Sequence, residues 1–133
     1  MQQQGLSHVA LTVTDVDASR KWYQDVFGCD VILTNRSNEG DVDILVAGSF
    51  ILGLRRHPHT DRNERFDEGR IGLDHIAIAS ASSSELEGWK KRLDELGVEN
   101  SGIVTSDLGA HLNFRDPDNI ALELFALATE AKT

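Results

Sequence analysis

The chain has 133 residues, of which 40% are hydrophobic and 26% charged, and its formal net charge is −9. This length suits one compact soluble domain and is too short for two independent ones. The acidic balance argues against a nucleic-acid partner, and no apolar run is long enough to cross a membrane. The N-terminal MQQQGLSH lacks the basic and apolar stretches of a signal peptide, so we expect a cytoplasmic protein.

The first half of the chain predicts a strand, a helix and three further strands. The opening strand covers residues 7–13, where apolar residues alternate with small or polar ones. A helix follows, with Asp17 as its predicted cap and Gly28 at its end. Cys29, the only cysteine, comes next and is interpreted as a buried packing residue, with no disulfide possible within the chain. The remaining strands are predicted near residues 30–34, 42–47 and 50–55.

A connector without apolar periodicity occupies about residues 57–70. We interpret it as a solvated segment, the alternative being a mobile flap whose arginines meet an anionic substrate.

The second half predicts the same succession of elements. A strand covers residues 74–80, and Ser84 and Glu87 have the spacing of a capping box at the start of a helix that ends at Gly97. The final strands are predicted near residues 98–104, 110–115 and 120–126, with Asp116-Pro117-Asp118-Asn119 as the turn between the last two.

The two halves repeat each other. His8-Val9-Ala10-Leu11 aligns with His75-Ile76-Ala77-Ile78, and the same offset aligns Trp22 with Trp89, both expected in the core. Further on, Phe50-Ile51-Leu52-Gly53-Leu54 aligns with Ile120-Ala121-Leu122-Glu123-Leu124. Matches in the same order predict an α+β fold made of two tandem βαβββ units, about residues 5–56 and 71–127, with pseudo-twofold symmetry inside a single domain spanning 1–133.

Strand parity places three metal-ligating side chains on equivalent faces. His8 shares its face with Ala10 and Thr12, His75 with Ala77 and Ala79, and Glu123 with Phe125. The opposite faces are apolar and are expected to pack under the helices. A lone strand His or Glu is more often structural or solvated, but the equivalent positions of the two histidines and the cost of an unpaired buried carboxylate favour a metal centre. Two imidazoles and one carboxylate suit Fe(II), Mn(II), Ni(II) or Zn(II).

Other polar residues are candidates for binding and proton transfer. His111, Asn113 and Arg115 alternate along the strand before Glu123, so they share a face. If that face lines the cavity, His111 could act as general acid/base and Asn113 could orient the substrate; the alternative is a solvated His111. Arg55 is a candidate for binding an anionic group, with a surface role as its alternative, and Phe125 is a candidate substrate contact.

The motifs quoted above resemble a known family. The run His-Val-Ala-Leu-Thr-Val, the helix with Trp-Tyr closing in Val-Phe-Gly, the run Asp-His-Ile-Ala-Ile and the segment Phe-Arg-Asp-Pro-Asp-Asn-Ile-Ala-Leu-Glu-Leu are similar to the vicinal-oxygen-chelate superfamily. That group includes glyoxalase I, methylmalonyl-CoA epimerase, extradiol dioxygenases, fosfomycin-modifying thiol transferases and bleomycin-binding resistance proteins. The resemblance implies curved mixed sheets that form a cup around one divalent metal ion, often across two chains, and therefore a homodimer.

The family's metal positions fall on His8, Gly53, His75 and Glu123. Because glycine supplies no ligand, the resemblance does not extend to the four-ligand chemistry of glyoxalase I, and the remaining set is similar to that of the extradiol dioxygenases and fosfomycin transferases.

Three functions follow as hypotheses. The first is a metal-dependent enzyme, a dioxygenase or a glyoxalase-type lyase or isomerase, acting on a small substrate chelated through vicinal oxygens. The second is a metal-free protein that sequesters an antibiotic, for which the acidic charge suits a cationic drug such as bleomycin. The third is a structural or regulatory dimer. Retention of three of the four ligand positions favours the enzyme.

Overall fold

The computed structural model describes residues 1–128 and divides the chain into two compact units, one of Met1–Glu64 and one that begins at Arg65. Each unit has the order βαβββ, which confirms the predicted α+β repeat. The first unit contains β1 (Val9–Thr12), α1 (Val16–Phe27), β2 (Asp30–Ser37), β3 (Gly40–Ala47) and β4 (Phe50–Arg56); the second contains β5 (Ile76–Ala79), α2 (Glu85–Glu95), β6 (Asn100–Ser106), β7 (Gly109–Arg115) and β8 (Ala121–Leu127). Neither helix is long and apolar enough to cross a membrane.

The two sheets have the same topology. The strand order is β1-β4-β3-β2 in the first unit and β5-β8-β7-β6 in the second. In each sheet the opening strand is parallel to the last strand of its unit, and the other neighbours are antiparallel. The parallel pairing needs a long crossover, which the intervening helix and two strands supply.

Helix α1 begins two residues earlier than the sequence predicted. Asp15, in an extended conformation, is its cap and accepts a hydrogen bond from the amide of Ala18 at 3.1 Å. Asp17 therefore lies in the first turn, where its negative charge interacts favourably with the positive end of the helix dipole. Gly28 ends the helix with a φ of 66°, as predicted, and Cys29 is buried. Burial raises the pKa of the Cys29 thiol, which disfavours the reactive thiolate.

Helix α2 does not form the predicted capping box. Ser84 already has helical backbone angles and makes no capping bond through its side chain. Instead, the hydroxyl of Ser82 accepts a hydrogen bond from the amide of Glu85 at 3.3 Å. Leu86 and Leu93 are fully buried on the sheet side of the helix. Leu96, which follows the last helical residue, is the C-cap and is 43% exposed.

The hairpins of the two units share a turn that the sequence comparison missed. Ser37 and Ser106 each donate a hydroxyl hydrogen bond to the carbonyl of a glycine three residues on, Gly40 and Gly109. Both glycines have positive φ, 128° and 147°, and a Cβ on either would collide with the backbone of the neighbouring strand. These glycines open β3 and β7 in the same register, so the repeat extends to its turns.

Strand parity separates the two faces of each sheet as predicted. In the first unit Leu11, Leu52 and Leu54 are buried, and in the second Leu122 and Leu124 are buried. Full burial of a leucine side chain contributes about 1.5–3 kcal/mol relative to exposure. Trp22 and Trp89, both predicted as core, are half-buried. The faces that carry Ala10, Thr12, Ala77, Ala79, Glu123 and Phe125 are exposed or half-buried.

A charged cluster lies within the apolar side of the first unit. The carboxylate of Asp43 on β3 is fully buried and accepts hydrogen bonds from Arg36 on β2, at 2.9 and 3.0 Å, and from Arg20 on α1, at 2.9 Å. Both arginines also pair with Asp17. The cluster ties α1 to β2 and β3 through side chains that are distant in sequence.

Candidate metal centre

Each candidate histidine directly precedes the first strand of its unit. His8 stands one residue before β1 and His75 one residue before β5, so both lie at the N-terminal end of the strand that was predicted to contain them. The residue that follows each histidine, Val9 or Ile76, begins the parallel ladder with the last strand of its unit.

In both units the preceding residue lies against Nδ1 of the histidine. The Oδ1 atom of Asp74 is 2.7 Å from Nδ1 of His75, and the hydroxyl of Ser7 is 2.9 Å from Nδ1 of His8. A carboxylate acceptor holds the proton on Nδ1, so Nε2 of His75 keeps a lone pair available to a metal ion. The equivalent contacts make Nε2 the available nitrogen of both imidazoles when Nδ1 carries the proton.

Glu123 on β8 meets His75 within the second unit. Its Oε1 atom lies 3.9 Å from Nε2 of His75, and its side chain is only 17% exposed. In the ladder, Glu123 pairs with Ala77 on one side and with Asn113 on the other. The small Ala77 side chain leaves this face open beside the carboxylate.

The two donors are close enough to reach one metal ion. Ligands bound at about 2.0–2.2 Å to one ion are at most roughly 4.4 Å apart, and the 3.9 Å between His75 Nε2 and Glu123 Oε1 is within this limit. An imidazole nitrogen and a carboxylate oxygen are both ligands that divalent transition metals accept. Among residues 1–128, no three His, Cys, Asp or Glu side chains form a group that could hold a metal ion.

A cleft of about 360 Å³ opens beside this pair. It is lined entirely by the second unit, and its ionisable side chains are three carboxylates, one guanidinium and the imidazole of His75. The lining residues are Glu68, Asp74, His75, Asn113, Phe114, Arg115, Ala121, Leu122 and Glu123.

The predicted common face of β7 is confirmed. His111, Asn113 and Arg115 pair in register with Phe125, Glu123 and Ala121 of β8, so all six side chains point to one side of the sheet. Asn113 and Arg115 line the cleft, whereas His111 and Phe125 lie one ladder step further along the strands and do not.

Arg55 and Gly53 belong to the first unit. They pair with Thr12 and Ala10 of β1, on the face predicted to carry His8, and Arg55 is exposed. A Cβ on Gly53 would lie 3.3 Å from the Cβ of Ala10, so the glycine permits a close approach of the two strands. The predicted site residues are thus divided between the units: His8 and Arg55 lie in the first, and His75, His111, Asn113, Glu123 and Phe125 in the second.

Sequence reasoning missed the side chains that hold the candidate ligands. Ser7 and Asp74 occupy equivalent repeat positions directly before the histidines, so the repeat alignment contained the signal. Glu68 had no such signal, because it lies in the connector and reaches the cleft only through its contact with Arg115.

Comparison with known proteins identifies the family. The model of the glyoxalase/bleomycin resistance protein/dioxygenase superfamily matches residues 5–124. The chain therefore belongs to this superfamily. A "Putative ring-cleaving dioxygenase MhqA" from Bacillus subtilis (strain 168) is 29% identical over 123 residues, which cover 90% of this chain. The chain spans only 39% of the length of that relative.

Solved structures show the same fold. A glyoxylase/bleomycin resistance protein/dioxygenase domain from Frankia sp. EAN1pec has a TM-score of 0.90 and 32% identity, covering 98% of this chain and 96% of that one. A mutant of the fosfomycin resistance protein FosX from Listeria monocytogenes, complexed with Mn(II) and 1S,2S-dihydroxypropylphosphonic acid, has a TM-score of 0.75 and 22% identity, covering 96% and 95%. At that identity the second likeness shows the fold alone.

Proposed function

We propose that this chain is a divalent-metal-dependent enzyme acting on a small substrate with vicinal oxygens, such as a catechol, a hydroxycarbonyl compound or an epoxide. The observation that carries the proposal is the approach of His75 Nε2 to Glu123 Oε1, with Asp74 on the other nitrogen of the same imidazole. A half-buried carboxylate facing an imidazole whose tautomer is already set is the arrangement that a metal ion stabilises.

The third ligand in this proposal is His8. It occupies the position equivalent to His75, and its Nδ1 has the equivalent contact, with Ser7. Gly53 supplies no fourth ligand, which leaves coordination positions to water, substrate or a second reactant. We further propose that the protein is a homodimer.

When bound, the ion would act as a Lewis acid on substrate oxygens and orient them. The chain's own polar groups would do the rest. Asn113, opposite Glu123 in the ladder, would orient the substrate by hydrogen bonding, and His111 on the same face would accept or donate a proton. Phe125 would contact the apolar part of the substrate, and Arg55 would bind an anionic group.

Ring cleavage of a catechol with dioxygen is the first reaction to assay, because the Bacillus subtilis relative is described as a ring-cleaving dioxygenase. The FosX structure holds Mn(II), which supports assays with more than one ion. Bound iron would direct the work to oxygen uptake with catechols. Nickel, zinc or manganese would direct it to isomerase, lyase or transferase substrates.

The proposal predicts near one equivalent of a transition metal per chain after mild dialysis, measured by elemental analysis. Glu123→Ala removes a proposed ligand and is expected to lose the metal. Glu99→Ala, which removes an exposed carboxylate, is the matched control and is expected to keep it. Absence of metal from the wild-type chain, even after reconstitution with Fe(II), Mn(II), Ni(II) and Zn(II), would contradict the proposal.

A second candidate is a metal-free protein that sequesters a cationic drug. The acidic lining of the cleft favours it, since it contains three carboxylates and one guanidinium. Binding of bleomycin to a chain that takes up none of the four ions would make this the leading function.

A further inference from the structure

Arg115 holds a carboxylate at the edge of the cleft beside the candidate metal ligands. Its Nη1 and Nη2 atoms donate hydrogen bonds to Oε1 and Oε2 of Glu68 at 2.8 and 3.1 Å. This two-point geometry is the one by which arginine recognises carboxylates in general. The guanidinium is therefore already arranged to bind a carboxylate in two hydrogen bonds.

The arginine is anchored independently of its partner. Nη1 of Arg115 also donates to the carbonyl of Asn119, at 3.1 Å, in the turn before β8. Glu68 itself lies in the irregular segment before β5. The described hydrogen bonds between this segment and the turn are made two residues earlier, by Phe66: its amide donates to the carbonyl of Asp118, and its carbonyl accepts from the side-chain amide of Asn119. Glu68 can therefore leave while Arg115 keeps its position.

Displacement of Glu68 has a low energetic cost. The two side chains are 43% and 42% exposed, and exposed ion pairs contribute only about 0–1 kcal/mol. The hydrogen bond from Arg115 lowers the pKa of Glu68 to about 2. Glu68 is therefore ionised at neutral pH, and only another anion offers Arg115 an equivalent partner.

The distribution of charge in the cleft favours a negatively charged ligand. With a divalent ion on His75 and Glu123, departure of Glu68 leaves Arg115 and the ion facing the carboxylates of Asp74 and Glu123, a net positive cleft. Arg115 and Asn113 are two residues apart on β7, and Asn113 pairs with Glu123, so the backbone positions that carry the guanidinium and the carboxylate ligand are about 7 Å apart along the strands. That length suits one small molecule reaching both.

We propose that Arg115 is the carboxylate-binding group of this cleft, that Glu68 occupies it in the absence of substrate, and that the substrate is a small carboxylate that also carries the vicinal oxygens. The inference rests on the proposed function for the vicinal oxygens, whereas the exchange of one carboxylate for another at Arg115 depends only on the second unit. Glu68 is then a competitor built into the chain, which selects ligands that bring a carboxylate of their own.

A purely structural ion pair predicts a different result. Glu68→Gln and Arg115→Gln both remove the charged pair, so any loosening of the segment affects both variants alike. Only the proposed exchange predicts that the affinity for a carboxylate ligand rises in Glu68→Gln and falls in Arg115→Gln relative to the wild type. Glu39→Gln, in the exposed hairpin turn of the first unit, makes the same change in net charge as Glu68→Gln away from the cleft.

The test is a titration of the full chain with benzoate, followed by amide NMR shifts, with neutral benzamide as the control ligand. It is done once with chelator and once with Zn²⁺. In both conditions we expect Glu68→Gln to bind benzoate about fivefold or more tightly than the wild type, Arg115→Gln to lose saturable binding, and Glu39→Gln to match the wild type. Benzamide should not distinguish the variants.

Equal benzoate affinity in Glu68→Gln and the wild type, or binding retained in Arg115→Gln, would overturn the inference. The order of the benzoate affinities of the three variants tests the role of Arg115, with chelator or with Zn²⁺. Tighter benzoate binding with Zn²⁺ than with chelator tests the metal centre. Failure of the proposed function would therefore remove the effect of Zn²⁺ and leave the order of the variants intact.

Discussion

At the residue scale, the contact between Asp74 and His75 governs what the candidate metal centre can do. The 2.7 Å approach of the carboxylate to Nδ1 sets the tautomer and turns Nε2 toward Glu123. The first unit uses a neutral hydroxyl, that of Ser7, at the equivalent place. The imidazole of His75 is therefore the more strongly oriented of the two.

Replacement of Asp74 is predicted to weaken the metal centre without unfolding the protein. Asp74→Asn keeps the shape of the side chain but removes the negative charge beside Nδ1 of His75, and such changes typically lower metal affinity about 10–100-fold. The side chain is largely exposed, so stability should change little. Competition with a chelating dye measures the affinity, and Asp107→Asn, in the exposed turn of the second hairpin, is the control. An unaltered affinity in Asp74→Asn would exclude this role.

At the element scale, the buried carboxylate of Asp43 joins helix α1 to β2 and β3. Burial by itself would raise the pKa of Asp43, but hydrogen bonds from Arg36, Thr34 and Arg20 outweigh it and hold the pKa below its usual value of 3.8. A lowered carboxyl pKa contributes stability above the pKa of the unfolded chain, and this contribution is lost as the pH falls through the folded pKa.

Asp43→Asn is predicted to lower the free energy of unfolding by about 2 kcal/mol at pH 7, because a neutral amide cannot satisfy two guanidinium groups at a buried position. Urea denaturation at pH 7 and at pH 3 and below measures it. The difference from the wild type should narrow at acidic pH, where the native carboxylate is also protonated. Asp25→Asn, which breaks the exposed pair with Lys21, should cost less than about 1 kcal/mol. A difference independent of pH would show that the charge of Asp43 does not contribute.

At the scale of the whole molecule, the repeat places one candidate histidine in each unit. The first unit carries His8, and the second carries His75 and Glu123. In the first unit the edge strand β2 also exposes three consecutive apolar residues, Val31, Ile32 and Leu33. Both features agree with the proposal that two copies of the chain associate.

Mixed dimers are predicted to rebuild a metal centre from two inactive variants. If His8 of one copy completes the pair of His75 and Glu123 of another, His8→Ala and Glu123→Ala refolded together should bind about a quarter of an equivalent per chain, since random pairing gives half mixed dimers with one intact centre each. Elemental analysis of the mixture measures this.

The control mixture combines His75→Ala with Glu123→Ala. These ligands lie 3.9 Å apart within one unit, so no pairing of the two variants restores a complete set, and no metal should be recovered. The same absence of metal in the mixture containing His8→Ala would show that His8 is not shared between copies.

The sequence by itself determined the repeat, the order of the elements and the faces of the strands. Alternation along a strand has a period of two residues, so the common face of His111, Asn113 and Arg115 could be predicted from three positions on one strand. The sequence does not decide where α1 starts, because Asp15 and Asp17 are both acceptable caps and the backbone angles select Asp15. The same applies to Ser82 and Ser84 before α2.

Only the tertiary structure decided which charged groups meet. Nothing local distinguishes the fully buried Asp43 from Asp41, two residues earlier on the same strand, since the partners of Asp43 come from α1 and β2. Glu68 reaches Arg115 across 47 positions of the chain. The distance from His75 to Glu123 likewise depends on the parallel pairing of β5 with β8. Periodicity is a property of neighbouring residues, whereas an ion pair or a ligand pair depends on how distant segments pack, and packing is set by the whole chain.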